Sequence, residues 1–329
     1  MIITMDTMVR MNKKFGIVAV LIALVICGGT LYYLKSTKDS KPVLSDHGDS
    51  YDYRMIKVDN KEYVYNSDLI GILLLGIDSS DSKSLGQSDF INVMLLDRGS
   101  KTMKFLSISR DTMTPIQLFD ASGNDLGWDK QHLALAYAYG KDPENGSMLS
   151  SAAVSKLLND IPIVNFVTTD ISSIADFQDI VGNLTVTIPD DSLSYLNIGW
   201  DKGTEVTLNK GNAEKFLRSR NTKVSFTNES RRVRQKVYMQ AYVDKLKKML
   251  SDDFSATVKK LASAYSKVTT NLSINDLDAY AEMLMRYSLD EDSFSNLKGE
   301  EKQGAFHDEY QIDENAKDAL ILQLFYKER

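Results

Sequence analysis

Residues 69–77 read LIGILLLGI, an apolar run with no polar interruption that stops at Asp78. A strand with one wet face alternates apolar and polar residues, so a run that is apolar at both parities belongs to a strand covered on both sides. Two similar runs follow, Phe90 to Leu96 and Met103 to Ile108, and three adjacent buried strands are the economical reading. Further on, residues 163–169 and 183–188 are rich in Val, Ile and Thr and read as strands, while 129–139 and 147–159 carry helical spacing. Helical patterns recur at 211–219, at 229–250 with Asn228 placed to cap it, at 274–287 and at 313–326. Strands alternating with helices predict an α/β fold class, a single αβα domain with a central mixed sheet spanning residues 61–329. Neither an internal repeat nor a break in composition divides that span.

Composition limits what this domain can do. The 329 residues are 43% hydrophobic and 26% charged, with a formal net charge of -6 and an isoelectric point near 5.3. Such a balance gives no overall attraction to nucleic acid, so no nucleic-acid partner is expected, and any anion site needs a local basic patch. The single cysteine, Cys27, lies in the apolar N-terminal stretch, which excludes an internal disulfide and a cysteine-based metal site.

Residues 15–34, FGIVAVLIALVICGGTLYYL, form an uncharged run long enough for about 30 Å of helix, the thickness of a bilayer core. Arg10, Lys13 and Lys14 precede it, and Tyr32 and Tyr33 close it at headgroup level. The run exceeds a usual signal-peptide core and no small-residue cleavage site follows, so one transmembrane helix acting as a signal anchor is expected. Residues 1–14 are then a cytoplasmic tail and the polar, turn-rich residues 35–60 a juxtamembrane linker. This places a single-pass protein in the cell membrane, with its C-terminal domain outside.

Four local signals bear on chemistry. Asp78 follows the first buried run, Gln87 and Asp89 open the second, and Arg110 with Asp111 end the third, so three strand ends would gather their charged groups. Turn chemistry explains any one of these acids alone. The basic patch is supplied by Arg218 and Arg220, followed by Arg231, Arg232, Arg234 and Gln235. On a helix Arg231, Arg234 and Gln235 stand at i, i+3 and i+4 and project from one side. Cations in a first helical turn oppose the helix dipole unless an anion binds there, where guanidinium forks and backbone donors converge on phosphate. Carboxylates beside such arginines suit a divalent cation shared with phosphate oxygens, and hence phosphoryl transfer.

At this point the chain resembles the LytR-CpsA-Psr family of cell-wall glycopolymer ligases. LLLGIDSS, GQSDFINVMLLD, KFLSISRDT, LAYAYG, AEKFLRSR and NESRRVRQ resemble its successive motifs in order, over about residues 68–329. The resemblance implies an extracytoplasmic enzyme that moves a glycosyl-phosphate polymer, such as a wall teichoic acid or capsule, from a polyprenyl-pyrophosphate carrier to peptidoglycan. It implies Mg²⁺ (or Mn²⁺) on Asp78 and Asp89, and pyrophosphate contacts from Arg110, Arg218, Arg220, Arg231, Arg234 and Gln235. Arg110, Arg218 and Arg220, with Asp111 supporting Arg110, would carry catalysis. Two positions depart from the family pattern. Gln87 stands where an arginine is frequent, and Asn228 where an acid commonly precedes the arginine helix, which removes a cation and a potential general base. A non-catalytic lipid-pyrophosphate-binding scaffold and a membrane-bound transcription attenuator therefore remain as second and third readings.

Overall fold

A computed structural model describes residues 54–79, 85–219, 221, 228–304 and 307–329. The three apolar runs form β3 (Leu69–Asp78), β4 (Gln87–Asp97) and β5 (Thr102–Ile108), paired antiparallel in sequence. They occupy the middle of a six-stranded sheet. β8 (Asn165–Asp170) lies parallel to β3, β11 (Val268–Thr270) borders β8, and β12 (Phe294–Asn296) lies parallel to β5. The sheet is mixed, as expected. Outside this sheet β9 (Leu184–Thr187) pairs with β10 (Glu205–Leu208), and β13 (Gly299–Gln303) with β14 (Asp308–Ile312).

Alternation explains why both faces are dry. Ile70, Ile72 and Leu74 of β3, with Phe90, Met94 and Leu96 of β4, pack into one core; Leu73, Leu75, Ile91, Val93 and Leu95 pack into the other. The first core is covered by α2 (Ile174–Val181), α3 (Ala213–Arg218), α4 (Asn228–Asp252), α5 (Phe254–Ala264) and α6 (Leu277–Arg286). The second lies under α1 (Pro143–Leu157) and α7 (Glu314–Phe325). Each Leu or Ile fully withdrawn from water in these layers contributes about 1.5–3 kcal/mol, so a strand buried on both sides anchors the layers together.

Several expectations are corrected. Residues 129–139 do not form one helix. A hairpin, β6 (Met113–Phe119) with β7 (Asp125–His132), runs through the first part, and two short 3-10 turns, Leu133–Leu135 and Tyr137–Tyr139, follow. The Leu133 and Ala134 amides donate to Thr112 O at 2.8 Å and Arg110 O at 3.0 Å, so they are withdrawn from any helical ladder and instead clamp the end of β5. The folded domain also begins earlier than residue 61. β1 (Met55–Val58), inside the stretch read as linker, pairs with β2 (Lys61–Tyr65), which pairs in turn with β15 (Tyr326–Glu328). Helices α2 and α5 were not foreseen. The expected transmembrane residues 15–34 lie outside the described residues, among which no helix is long and apolar enough to cross a membrane.

Candidate anion and cation site

Antiparallel pairing delivers the C-terminal ends of β3 and β5 and the start of β4 to one edge of the sheet. There Asp78 pairs directly with Gln87. Gly76 faces Phe90 but Ile77 faces Ser88, which leaves Asp89 as the extra residue of a β-bulge. A bulge bends the strand and re-aims the side chain at its centre. On the other side of β4 the register pairs Ile91 with Ile108, and continued by two residues it sets Asp89 opposite Arg110.

Arg110 is held by three neighbours. Its Nη1 forms an ion pair with Asp89 Oδ1, its Nη2 donates to Gln87 Oε1 at 2.6 Å, and its Nε lies 3.4 Å from Asp111 Oδ1. Gln87 thus does in neutral form what a cation could not, accepting a bond from the adjacent guanidinium. The Asp89 side chain is 4% exposed, and its Oδ1 accepts no aligned hydrogen bond despite the arginine against it.

Facing this edge across a cavity of about 1080 Å³ are Glu214, Lys215, Arg218 and Ser219 from α3 and its exit, and Arg231 from the first turn of α4. Arg218 Nη1 donates to Glu214 Oε1 at 2.7 Å. Burial pushes the Arg218 guanidinium down to about 10, opposed by the negative charges of Glu214 and Asp78. Asp78, Asp89, Arg110, Asp111, Arg218 and Arg231 therefore share one space, as expected from sequence.

Two expected contacts stand elsewhere. Arg234 does not face the cavity. It is 1% exposed, its Nε donates to Phe216 O at 2.9 Å, and its other nitrogens donate to Ser192 Oγ and Ser219 O. Gln235 is buried behind Arg231, in a narrow crevice with Asp89, Arg110 and Arg232. The i, i+3, i+4 spacing predicts one outward face for all three positions. Arg234 instead continues the buried line of Tyr238 and Tyr242, one and two turns on, and that line of large residues was the available signal. Arg220 and the side chain of Asn228 lie outside the described residues.

Sequence reasoning also missed part of the lining. His132, Leu135, His307, Asp308, Tyr195 and Leu196 also line the cavity, with the His132 and His307 rings 6.3 Å apart. These come from separate segments, so no spacing pattern could join them.

The lining suits a divalent cation. Asp78 and Asp89 supply carboxylate oxygens, the donors preferred by a hard ion, and Asp89 is buried with its Oδ1 ion-paired to Arg110. Asp78, Asp89, Asp111, Glu214 and Asp308 give five carboxylates against the four cations Arg110, Lys215, Arg218 and Arg231. A pyrophosphate needs further positive charge in such surroundings. Among the described residues no group of three or more His, Cys, Asp and Glu is placed to hold a metal ion by itself.

The fold is thus an αβα domain whose bulged sheet edge opposes an arginine-bearing helix across one cavity. Residues 31–324 match the LytR_cpsA_psr family, and the chain belongs to it. It is 29% identical over 269 residues to the polyisoprenyl-teichoic acid–peptidoglycan teichoic acid transferase TagV of Bacillus subtilis, covering 78% of this chain and 62% of TagV. To the transferase of the same description called TagU in Bacillus cereus it is 32% identical over 186 residues, 54% of each. The matches thus span between about half and three-fifths of these relatives' lengths. The crystal structure of B. subtilis TagV superposes with a TM-score of 0.61 at 26% identity, over 78% of this chain and 96% of that one. A structure of TagT bound to LI-WTA shares the fold, with a TM-score of 0.57 at 24% identity over 78% of this chain and 90% of that one.

Proposed function

We propose that this chain transfers a glycosyl-phosphate polymer from a polyprenyl-pyrophosphate carrier to a hydroxyl of peptidoglycan, at the outer face of the cell membrane to which residues 15–34 tether it. The observation that carries this reading is the single cavity in which Asp78, Asp89 and Arg110 oppose Arg218 and Arg231. The names of the relatives, teichoic acid transferases acting between a polyisoprenyl carrier and peptidoglycan, support the substrate class.

Arg218 and Arg231 bind the two phosphates, joined by Arg220 on the ground of its motif. Arg110, kept rigid by Gln87 and Asp111, directs its remaining donor capacity at charge growing on the transferred phosphoryl group. The acceptor hydroxyl oxygen bonds to the polymer-side phosphorus, the bridging P–O bond breaks, the electron pair leaves with the lipid phosphate, and the hydroxyl proton ends on that phosphate as polyprenyl monophosphate. Mg²⁺ (or Mn²⁺) held by Asp78 and Asp89 would neutralise phosphate oxygens.

A second reading, a lipid-pyrophosphate-binding scaffold without turnover, draws on the three-way engagement of Arg110 by Asp89, Gln87 and Asp111. One experiment separates the two. The full chain in detergent, given divalent cation, lipid-linked glycopolymer and peptidoglycan, should release polyprenyl monophosphate. Asp89→Ala should slow release by about 10²-fold or more. Equal turnover by the variant rejects the role of Asp89, and donor binding without single-turnover release selects the scaffold.

A further inference from the structure

Arg234 is among the largest fully buried side chains of the domain, and among the described residues it forms no ion pair with a carboxylate. A guanidinium in that position is stable only if its donors are used. Burial lowers its pKa to about 10, with the charge of Asp190 opposing, so it stays cationic at neutral pH. Its acceptors explain the placement. Phe216 O and Ser219 O belong to the C-terminal turn of α3, where unpaired carbonyls gather negative partial charge that suits a cation. These two carbonyls bracket Arg218. The third acceptor, Ser192 Oγ, belongs to the 3-10 turn Asp191–Leu196, which supplies Tyr195 and Leu196 to the cavity rim.

One side chain from α4 therefore ties together two segments of the cavity wall, 15 and 42 positions away in sequence at Ser219 and Ser192. Helix α3 has only six residues, too few to hold its own last turn in place. We propose that Arg234 is a positioning residue: it fixes the peptide units on either side of Arg218, and so aims that guanidinium into the cavity, without touching the ligand.

The test rests on the proposed reading insofar as it measures pyrophosphate binding. Lysine keeps the charge but cannot span two carbonyls with a planar fork, so Arg234→Lys isolates the geometric role. With the full chain in detergent, geranylgeranyl pyrophosphate and Mg²⁺ as probe, Arg234→Lys should raise Kd about tenfold or more. In an Arg218→Ala background the same change should cost less than about twofold, because its effect passes through Arg218. Ser192→Ala, which removes one acceptor and leaves the arginine in place, should give a smaller loss of about threefold, again absent in the Arg218→Ala background. Full additivity in both cycles, or wild-type affinity in Arg234→Lys, overturns the proposal, as additivity of the Ser192→Ala cycle does alone if Arg234→Lys fails to fold. A wild-type chain that binds no pyrophosphate would refute the functional reading instead. Positioning would then be judged by hydrogen exchange of the Ser219 amide, which donates to Lys215 O at 3.1 Å. Faster exchange in either variant supports the clamp, and unchanged exchange rejects it.

Discussion

The ion pair between Arg110 and Asp89 is unequal, and the inequality can be measured. The arginine side chain is 26% exposed and the aspartate 4%. Arg110→Met strands a buried carboxylate, and breaking a buried pair from one side costs about 3–5 kcal/mol. Asp89→Asn leaves an arginine that reaches water and still has Gln87 and Asp111, so about 1 kcal/mol is the appropriate scale. At roughly 2–4 °C per kcal/mol for a domain of this size, Tm should fall by about 6–20 °C in the first variant and about 2–4 °C in the second. Thermal unfolding of the full chain in detergent with EDTA reads both. Divalent cation adds a second arm, since an ion that binds only the native state at a hundred times its Kd stabilises by about 2.7 kcal/mol. If Asp89 holds the ion, saturating Mg²⁺ should narrow the deficit of Arg110→Met, where the carboxylate lacks its partner, and leave Asp89→Asn unmoved. Equal deficits in EDTA would refute the burial argument. Equal recovery of the two variants in Mg²⁺ would refute the assignment of the ion to Asp89.

Three further outcomes follow from the same edge and its surroundings. Gly86 has φ +90°, and an added Cβ would overlap Asp78 O and stand 2.9 Å from Ser79 Cα, so Gly86→Ala should displace Asp78 and weaken Mg²⁺ affinity at least about tenfold by isothermal titration. Gln87→Arg replaces an acceptor of Arg110 with a second cation; it should lower Tm without ligand by a few degrees, tighten pyrophosphate binding, and so enlarge the Tm gain on adding pyrophosphate with Mg²⁺. Burial raises the Glu301 carboxyl, with Arg232 opposing and Asp111, Asp308 and Glu229 reinforcing. A raised folded pKa means that stability is fully present below the ordinary carboxylate value and is lost as pH rises through the raised one. Glu301→Gln should therefore unfold at higher temperature than the wild type at pH 7.5, the gap closing as the pH is lowered toward 4.5; a gap independent of pH would reject the assignment.

The runs at 69–77, 90–96 and 103–108 were legible because covering a strand on both faces leaves few positions for polar residues: none interrupts 69–77, and only Asn92, Lys104 and Ser107 interrupt the other two. That constraint placed Asp78 and Arg110 correctly at strand ends, and the motif order placed Arg218 and Arg231 across from them. What was not legible depended on bonds between distant segments. The pattern at 129–139 suggested a helix, but the Leu133 and Ala134 amides are used by Thr112 and Arg110, which local periodicity cannot register. The bulge at Asp89 leaves no trace in composition, since it comes from two unequal lengths of paired chain. Arg234 was misplaced for a related reason: a charged residue on a helix suggests water or ligand, and only the buried Tyr238 and Tyr242 on the same line reveal that this one faces inward.

The small sheet of β1, β2 and β15 has a kinetic side. Lys61 Nζ meets Glu328 Oε2 across 267 positions of chain, and Tyr65 pairs with Tyr326 in the same ladder. A contact so remote in sequence must wait until residue 328 has been made, while the central hairpins can form as soon as they emerge. Until β15 arrives, β2 offers an unpaired edge to any neighbouring chain, a ready template for misassociation. Removing Tyr326–Glu328 would make that interval permanent, so aggregation during synthesis should appear before any defect at the cavity is seen.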